Sequence, residues 1–317
     1  MAADILLVGN VTPRMEEQLA ESFSPIRLDQ IDDPTAYFKD FGHHIKGIAA
    51  YSASGLSIKL LDAMPNLKII SCFGVGYDAV DIPYALKRNI IVTHTPNVLN
   101  KDVANSAIML LLASSRHLVH DHNWVVSGKW VNEGNAPLAR SIEGAKVGIL
   151  GLGRIGEEIA RKLAVFNCKI SYHTRTPKTD LPYEYCDTAK ALAEGCDYMI
   201  AILPGGAATK HIVDETVLNA LGPEGTFINI ARGSIVDEEA LVDALKDGRL
   251  GYAALDVFEN EPHVPEVLFD MSNVILLPHI GSATVETRIA MGDLTVQNLR
   301  DFFEKGQPAT PVPECKN

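Results

Sequence analysis

An α/β fold of two doubly wound parallel-sheet domains is predicted by three features of this 317-residue sequence. Short apolar runs alternate with segments of helical periodicity along nearly its whole length, the order that builds parallel sheets. Glycines at 151, 153 and 156 stand between one such run and an amphipathic helix. The length is also sufficient for two cores, since single cores stop growing somewhat below ~300 residues.

In order, buried strands are expected at 5–8, 48–50, 67–71 and 90–93, with helices near 14–23 and 57–64. They make a first α/β domain. Within it, Phe73-Gly74-Val75-Gly76-Tyr77-Asp78 is a glycine-bearing turn at the end of an apolar run. At the carboxyl end of a parallel strand such a turn exposes backbone N–H groups, and those of Val75 and Gly76 are suited to grip a carboxylate. The same residues also satisfy a plain tight turn.

Thr95-Pro96-Asn97 marks a break, and a long, mostly apolar helix over 102–126 follows as the natural bridge between domains. Residues 127–141 hold glycines, a proline and Trp130 without clear periodicity, and read as an extended arm able to pack on another subunit. Trp124 and Trp130 are read as packing or interface residues.

The second domain is organised around 146–175. Val147, Ile149 and Leu150 run to Gly151; beyond it Ile155, Ile159 and Leu163 recur every four residues with Glu157, Glu158, Arg161 and Lys162 between them, one apolar stripe on a helix. In the resulting G-x-G-x-x-G, the first glycine permits the tight turn, the second lets backbone approach a pyrophosphate, and the third lets helix pack on strand. The helix N-terminus then holds the phosphates. With a second strand following at 168–172, the motif predicts a dinucleotide-binding Rossmann unit. Strands at 198–203, 227–230, 253–257 and 274–277 complete a six-stranded sheet, with helices near 217–221 and 240–245. A last helix over 284–303 is long enough to cross back to the first domain.

The end of the second Rossmann strand selects the nucleotide. NAD enzymes usually place an Asp or Glu there for the ribose 2′-OH. This chain reads His173-Thr174-Arg175-Thr176, with no carboxylate before Asp180. A guanidinium binds a 2′-phosphate that a carboxylate would repel. Arg175, helped by Thr174 and Thr176, is therefore expected to select NADP(H) over NAD(H); an ordinary solvated loop arginine is the other reading.

The formal net charge of −12, without a cluster of Lys and Arg, argues against a nucleic-acid partner. Five scattered cysteines without metal-ligand spacing indicate a reduced, cytoplasmic protein with no metal site. Asp4 ahead of a short apolar run is not a signal peptide, and no run approaches the ~18 apolar residues of a membrane span.

Arg232, Glu261 and His279 lie at or just after late strands. Each alone also fits a structural role. As a set they match reduction of a 2-keto acid: a guanidinium binds the carboxylate and polarises the ketone, and an imidazolium donates the proton as hydride reaches C2. A carboxylate beside the imidazole stabilises its charged form.

Four segments together carry a resemblance: Gly-Leu-Gly-Arg-Ile-Gly, Ile-Ala-Arg-Gly-Ser-Ile-Val-Asp, Ala-Leu-Asp-Val-Phe-Glu-Asn-Glu-Pro and Leu-Leu-Pro-His-Ile-Gly-Ser-Ala-Thr. The chain resembles the D-isomer-specific 2-hydroxyacid dehydrogenases, and within them the NADPH-dependent glyoxylate/hydroxypyruvate reductases and the related hydroxyphenylpyruvate reductases. The resemblance implies a Rossmann cofactor domain, 99–283, inserted into a flavodoxin-like substrate domain, 1–98 with 284–317, in a homodimer. It implies that Arg232 binds substrate, that Glu261 rather than Glu259 pairs with the histidine, and that His279 is the acid/base. Asp256 matches a residue that binds the nicotinamide carboxamide. The expected cofactor set is Gly151, Gly153, Arg154, Ile155 and Gly156, then Thr174, Arg175 and Thr176, then Leu203, Pro204, Thr209, Ile230, Asp256 and Gly281. The expected substrate set is Ser52, Phe73, Gly74, Val75 and Gly76 with Arg232 and His279. Side-chain selectivity is expected from Tyr51, Ser52, Phe73, Val75 and a partner arm around Leu138. Hydroxypyruvate and glyoxylate are the favoured substrates. An aryl pyruvate is the closest rival, and a nucleotide-sensing protein like the family's corepressors is the alternative outside catalysis.

Overall fold

The computed structural model describes residues 3–51, 54–178 and 180–316. It divides into two compact units, residues 1–99 with 283–317 and residues 100–282.

The first unit begins with β1 (Asp4–Val8), α1 (Pro13–Ser22), β2 (Ser24–Arg27), α2 (Pro34–Phe41), β3 (Ile45–Tyr51), α3 (Ile58–Asp62), β4 (Ile69–Phe73), α4 (Ile82–Lys87) and β5 (Ile91–Thr93). Thr12, Asp33, Ser57 and Asp81 cap α1 to α4 by accepting first-turn N–H groups, three of them with a proline just inside the start. All strands are parallel, in the order β2-β1-β3-β4-β5. Helices cover both faces of such a sheet, which is why Ile5, Leu6, Ile48, Ile69 and Ile70 are all fully buried. One strand is additional to the four expected. β2 pairs with β1 alone and reads Ser-Pro-Ile-Arg, without the apolar run that a strand buried on both faces imposes.

The second unit contains α5 (Asn100–Ser115), α6 (Leu118–Val126), α7 (Lys129–Glu133), β6 (Lys146–Leu150), α8 (Arg154–Leu163), β7 (Lys169–His173), β8 (Glu184–Tyr185), α9 (Ala189–Glu194), β9 (Tyr198–Ala201), α10 (Glu215–Leu221), β10 (Thr226–Asn229), α11 (Glu238–Lys246), β11 (Tyr252–Leu255) and β12 (Val274–Leu276). Its parallel sheet runs β12-β11-β10-β9-β6-β7-β8. Strand order reverses at β6, and ligands of doubly wound sheets bind at that reversal. The sheet has seven strands rather than six, because the two-residue β8 adds to the edge at β7. The single helix expected over 102–126 is two: His117 stands between α5 and α6 at φ +50°, left-handed backbone that stops a helix without glycine or proline. The expected arm carries one short helix, α7.

α12 (Val285–Lys305), capped by Thr284, belongs to the first unit. Arg14 and Asp293 form an ion pair at 2.9 Å between α1 and α12, and Ser71 Oγ on β4 donates to the Thr295 carbonyl at 3.0 Å. The chain then passes β5, where Val312 N–H donates to the Val92 carbonyl. Among the described residues no helix is long and apolar enough to cross a membrane, and no group of three His, Cys, Asp or Glu is placed to hold a metal.

Candidate active site

The turn from β6 into α8 has the shape a dinucleotide requires, glycine by glycine. Gly151 sits at φ +102°, and a Cβ there would lie 2.6 Å from the Ile202 carbonyl oxygen. A Cβ on Gly156 would lie 2.3 Å from the Gly151 carbonyl oxygen, so helix rests directly on turn. Gly153 faces open space, with nothing within 4 Å of its Cβ position. Gly153 is also the N-cap of α8 and supplies no capping side chain, which leaves the first-turn N–H groups, Arg154 and Ile155 among them, to an anionic ligand. These residues fit a pyrophosphate.

At the end of β7, His173 Nδ1 meets the Cys186 carbonyl at 2.8 Å and Thr174 Oγ1 donates to the Thr176 carbonyl at 2.8 Å. These bonds shape a short loop carrying Arg175, which is exposed. Lys178 is ion-paired with Glu157 on α8. Arg175 has no acidic partner among the described residues and remains the free cation of this loop.

In the same unit, His279 Nδ1 and Glu261 Oε2 are 2.7 Å apart, with the two side chains 29% and 28% exposed. A carboxylate only accepts, so Nδ1 carries a proton and Nε2 is the nitrogen left to exchange one with a ligand. Phe258 N–H donates to Glu261 Oε1 at 3.1 Å and fixes the other oxygen. Burial pushes the Glu261 carboxyl up, but the His279 hydrogen bond and charge, the Phe258 N–H and the nearby Arg232 charge outweigh it, and the net shift is downward. Glu259 faces His211 instead, at 3.4 Å.

His279 has φ +54°, an unfavourable value for a side chain of its size. Asp256 holds it there: its carbonyl accepts His279 N–H at 2.9 Å, and its carboxylate accepts Ile280 N–H at 2.7 Å and Gly281 N–H at 2.8 Å. Asp256 is 1% exposed; burial raises its carboxyl above the ordinary range against the pull of those two N–H groups. Gly281 is further tied by Ser106 Oγ, which donates to its carbonyl.

Arg232 sits half-buried after β10. Asn229 braces its loop, donating through Nδ2 to the Arg232 carbonyl and accepting Ala231 N–H. Gly233 lies so close to the next loop that a Cβ would come 1.9 Å from the Phe258 carbonyl carbon. That contact locks the Arg232 loop against the segment leading to Glu261. Asn229 and Gly233 are not among the expected site residues; the sequence marks them only as a polar residue closing the apolar run Phe227-Ile228 and as the glycine after Arg232. Of the remaining candidates, Thr209 Oγ1 donates to the Pro204 carbonyl at 2.7 Å, Leu203 is half-buried, and Ile230 is buried.

In the first unit, the turn after β4 uses its carbonyls internally: Thr95 N–H donates to Gly74 O at 2.8 Å, and His94 Nδ1 meets Val75 O at 2.9 Å. Phe73 is buried, and Gly74 has φ +159°. The N–H groups of Val75 and Gly76 donate to nothing among the described residues. Ser52 lies outside the described residues.

The family profile described as D-isomer specific 2-hydroxyacid dehydrogenase, NAD binding domain, matches residues 108–281. The chain is 43% identical to glyoxylate/hydroxypyruvate reductase A of Arabidopsis thaliana, over 97% of this chain and 98% of the relative. It is 41% identical to hydroxyphenylpyruvate reductase of Plectranthus scutellarioides, over 98% and 99%. Among solved structures, an NADPH-dependent glyoxylate/hydroxypyruvate reductase of Sinorhizobium meliloti in complex with NADP and malonate superposes with a TM-score of 0.94 at 47% identity, covering 99% of this chain and 98% of that one.

Proposed function

The chain belongs to the D-isomer specific 2-hydroxyacid dehydrogenases, and on that premise we propose that it reduces small 2-keto acids with NADPH, hydroxypyruvate to D-glycerate and glyoxylate to glycolate. The observation that carries this reading is the Glu261–His279 pair, a proton donor whose inner nitrogen is occupied by a carboxylate and whose outer nitrogen meets no partner among the described residues. When bound, the nicotinamide cofactor supplies the hydride. His279 gives its proton to the ketone oxygen, and Glu261 stabilises the imidazolium before transfer. Arg232 binds and polarises the keto acid. The N–H groups of Val75 and Gly76 are the matching anchors for a carboxylate in the first unit.

Preference for NADP(H) over NAD(H) is supported by Arg175, an exposed guanidinium in a loop whose other cation is already paired. Gly151, Gly153 and the start of α8 hold the pyrophosphate in this reading. A homodimer is supported by the apolar surface of α6 and the segment after it, where Val126, Trp130, Val131 and Leu138 are exposed. A reducing, cytoplasmic setting is supported by five free thiols.

Steady-state kcat/KM for hydroxypyruvate, glyoxylate and phenylpyruvate with NADPH tests the assignment. Hydroxypyruvate and glyoxylate are expected to lead; phenylpyruvate ahead of both would transfer the protein to the aryl-pyruvate branch, and no keto-acid-dependent oxidation of NADPH would refute it.

A further inference from the structure

One guanidinium of the first unit stands where the packing calls for an apolar side chain. α12 presents Thr295 and Leu299 to the sheet: the Thr295 carbonyl accepts from Ser71 on β4, and Leu299 meets the position of Gly47 on β3 at 3.4 Å. Arg288 lies on the same helix stripe, seven and eleven residues earlier. Strand side chains alternate, so Tyr51 shares a face with Gly47 and Phe73 with Ser71. Accordingly, the Arg288 guanidinium lies 5.8 Å from the Tyr51 ring centroid and 5.7 Å from that of Phe73. Tyr51 and Phe73 are register partners at the carboxyl ends of β3 and β4, with ring centroids 6.3 Å apart.

Arg288 is half-buried, and among the described residues it has no acidic partner. Two aromatic faces hold its charge by cation–π attraction, an interaction that leaves the in-plane N–H donors unspent. Phe73 leads directly into the turn whose Val75 and Gly76 N–H groups are also unspent. The first unit therefore carries two separate anion-recognising elements at the same end of its sheet.

We infer that Arg288 is a specificity-determining residue whose guanidinium binds a second anionic group at the far end of the substrate, so that the protein reduces dianionic 2-keto acids. This rests on the keto-acid reductase reading above. The chemistry is unchanged: C2 accepts a hydride from the reduced nicotinamide, which is oxidised, the ketone oxygen takes a proton from His279, and a 2-hydroxy diacid leaves.

The test is kcat/KM with NADPH for oxaloacetate, which has a distal carboxylate, and glyoxylate, which has no distal group, in the wild type, Arg288→Met and Arg288→Lys. The wild type is expected to use oxaloacetate within tenfold of glyoxylate. Arg288→Met is expected to lose 30-fold or more on oxaloacetate, chiefly through KM, and less than threefold on glyoxylate, with partial recovery in Arg288→Lys. Equal losses on both substrates, or no loss on oxaloacetate, would overturn the inference. Wild-type turnover of glyoxylate without oxaloacetate would overturn it without any variant, whereas turnover of neither would overturn the reductase reading beneath it.

Discussion

Asp256 holds His279 from three directions, through its own carbonyl and through both carboxylate oxygens on the two residues that follow the histidine. The left-handed backbone at His279 costs roughly 1–3 kcal/mol, and these bonds are what offset it. Asp256→Ala frees two charge-assisted bonds and is expected to lower stability by roughly 2–4 kcal/mol. The same variant should depress kcat more than KM for keto acid, because the imidazole loses its aim. Urea unfolding with steady-state kinetics checks both; unchanged kcat would remove Asp256 from any positioning role.

His279→Ala is expected to reduce turnover on the order of 10²–10⁴-fold while leaving NADPH binding intact. Tryptophan fluorescence titration with NADPH separates the two effects. A variant that keeps wild-type kcat would show that the proton comes from elsewhere.

The downward shift of Glu261 couples the site to stability. A carboxyl whose folded value lies below its unfolded value, about 4.3, contributes stability that is fully present above the unfolded value and lost as pH falls through the folded one. Glu261→Gln should therefore lose stability at pH 7 and flatten the acid limb of the stability curve. Chemical denaturation at pH 7 and pH 3 measures this, and an equal difference from wild type at both values would contradict the shift.

Gly233→Ala forces a methyl group onto the Phe258 carbonyl carbon. Neither side can yield without moving backbone, so the cost is expected to be at least about 1–3 kcal/mol. Activity toward keto acids should fall further than stability alone explains, since Arg232 and the Glu261 segment are pushed apart. Melting temperature and kcat/KM on the same preparation test it.

Arg175→Ala is expected to lower the NADPH/NADH ratio of kcat/KM by about 10- to 100-fold, the worth of a charge-assisted contact of roughly 1.5–3 kcal/mol. An unchanged ratio would return Arg175 to the status of a solvated loop residue.

The buried strands are legible because both faces of a parallel sheet are covered, which forces runs such as Ile69-Ile70 and Phe227-Ile228. β2 and β8 are not: Ser-Pro-Ile-Arg and Glu-Tyr hold no apolar run, whereas the equally short edge strands β5, Ile-Val-Thr, and β12, Val-Ile-Leu, do. The break at His117 is silent for a different reason: apolar residues continue on both sides of it, and the left-handed residue is neither glycine nor proline. Glycine roles in the β6–α8 turn follow from spacing alone. The tight approach of Gly233 to Phe258 does not, because it joins loops 25 residues apart. Glu261 and Glu259 are equivalent by composition; the resemblance picks out Glu261 by its place before Pro262, and in the structure Glu261 meets His279 while Glu259 meets His211.

α12 gives the molecule an order of assembly during synthesis. Met291, Thr295 and Leu299 are buried in the first unit, so the sheet β1–β5, translated before α12, lacks part of its interior until that helix has left the ribosome. Residues 100–282 are contiguous and can condense while that sheet waits. A nascent chain stalled before residue 285 would therefore display an uncovered apolar face on the sheet β1–β5, and that face is where a chaperone would be expected to bind.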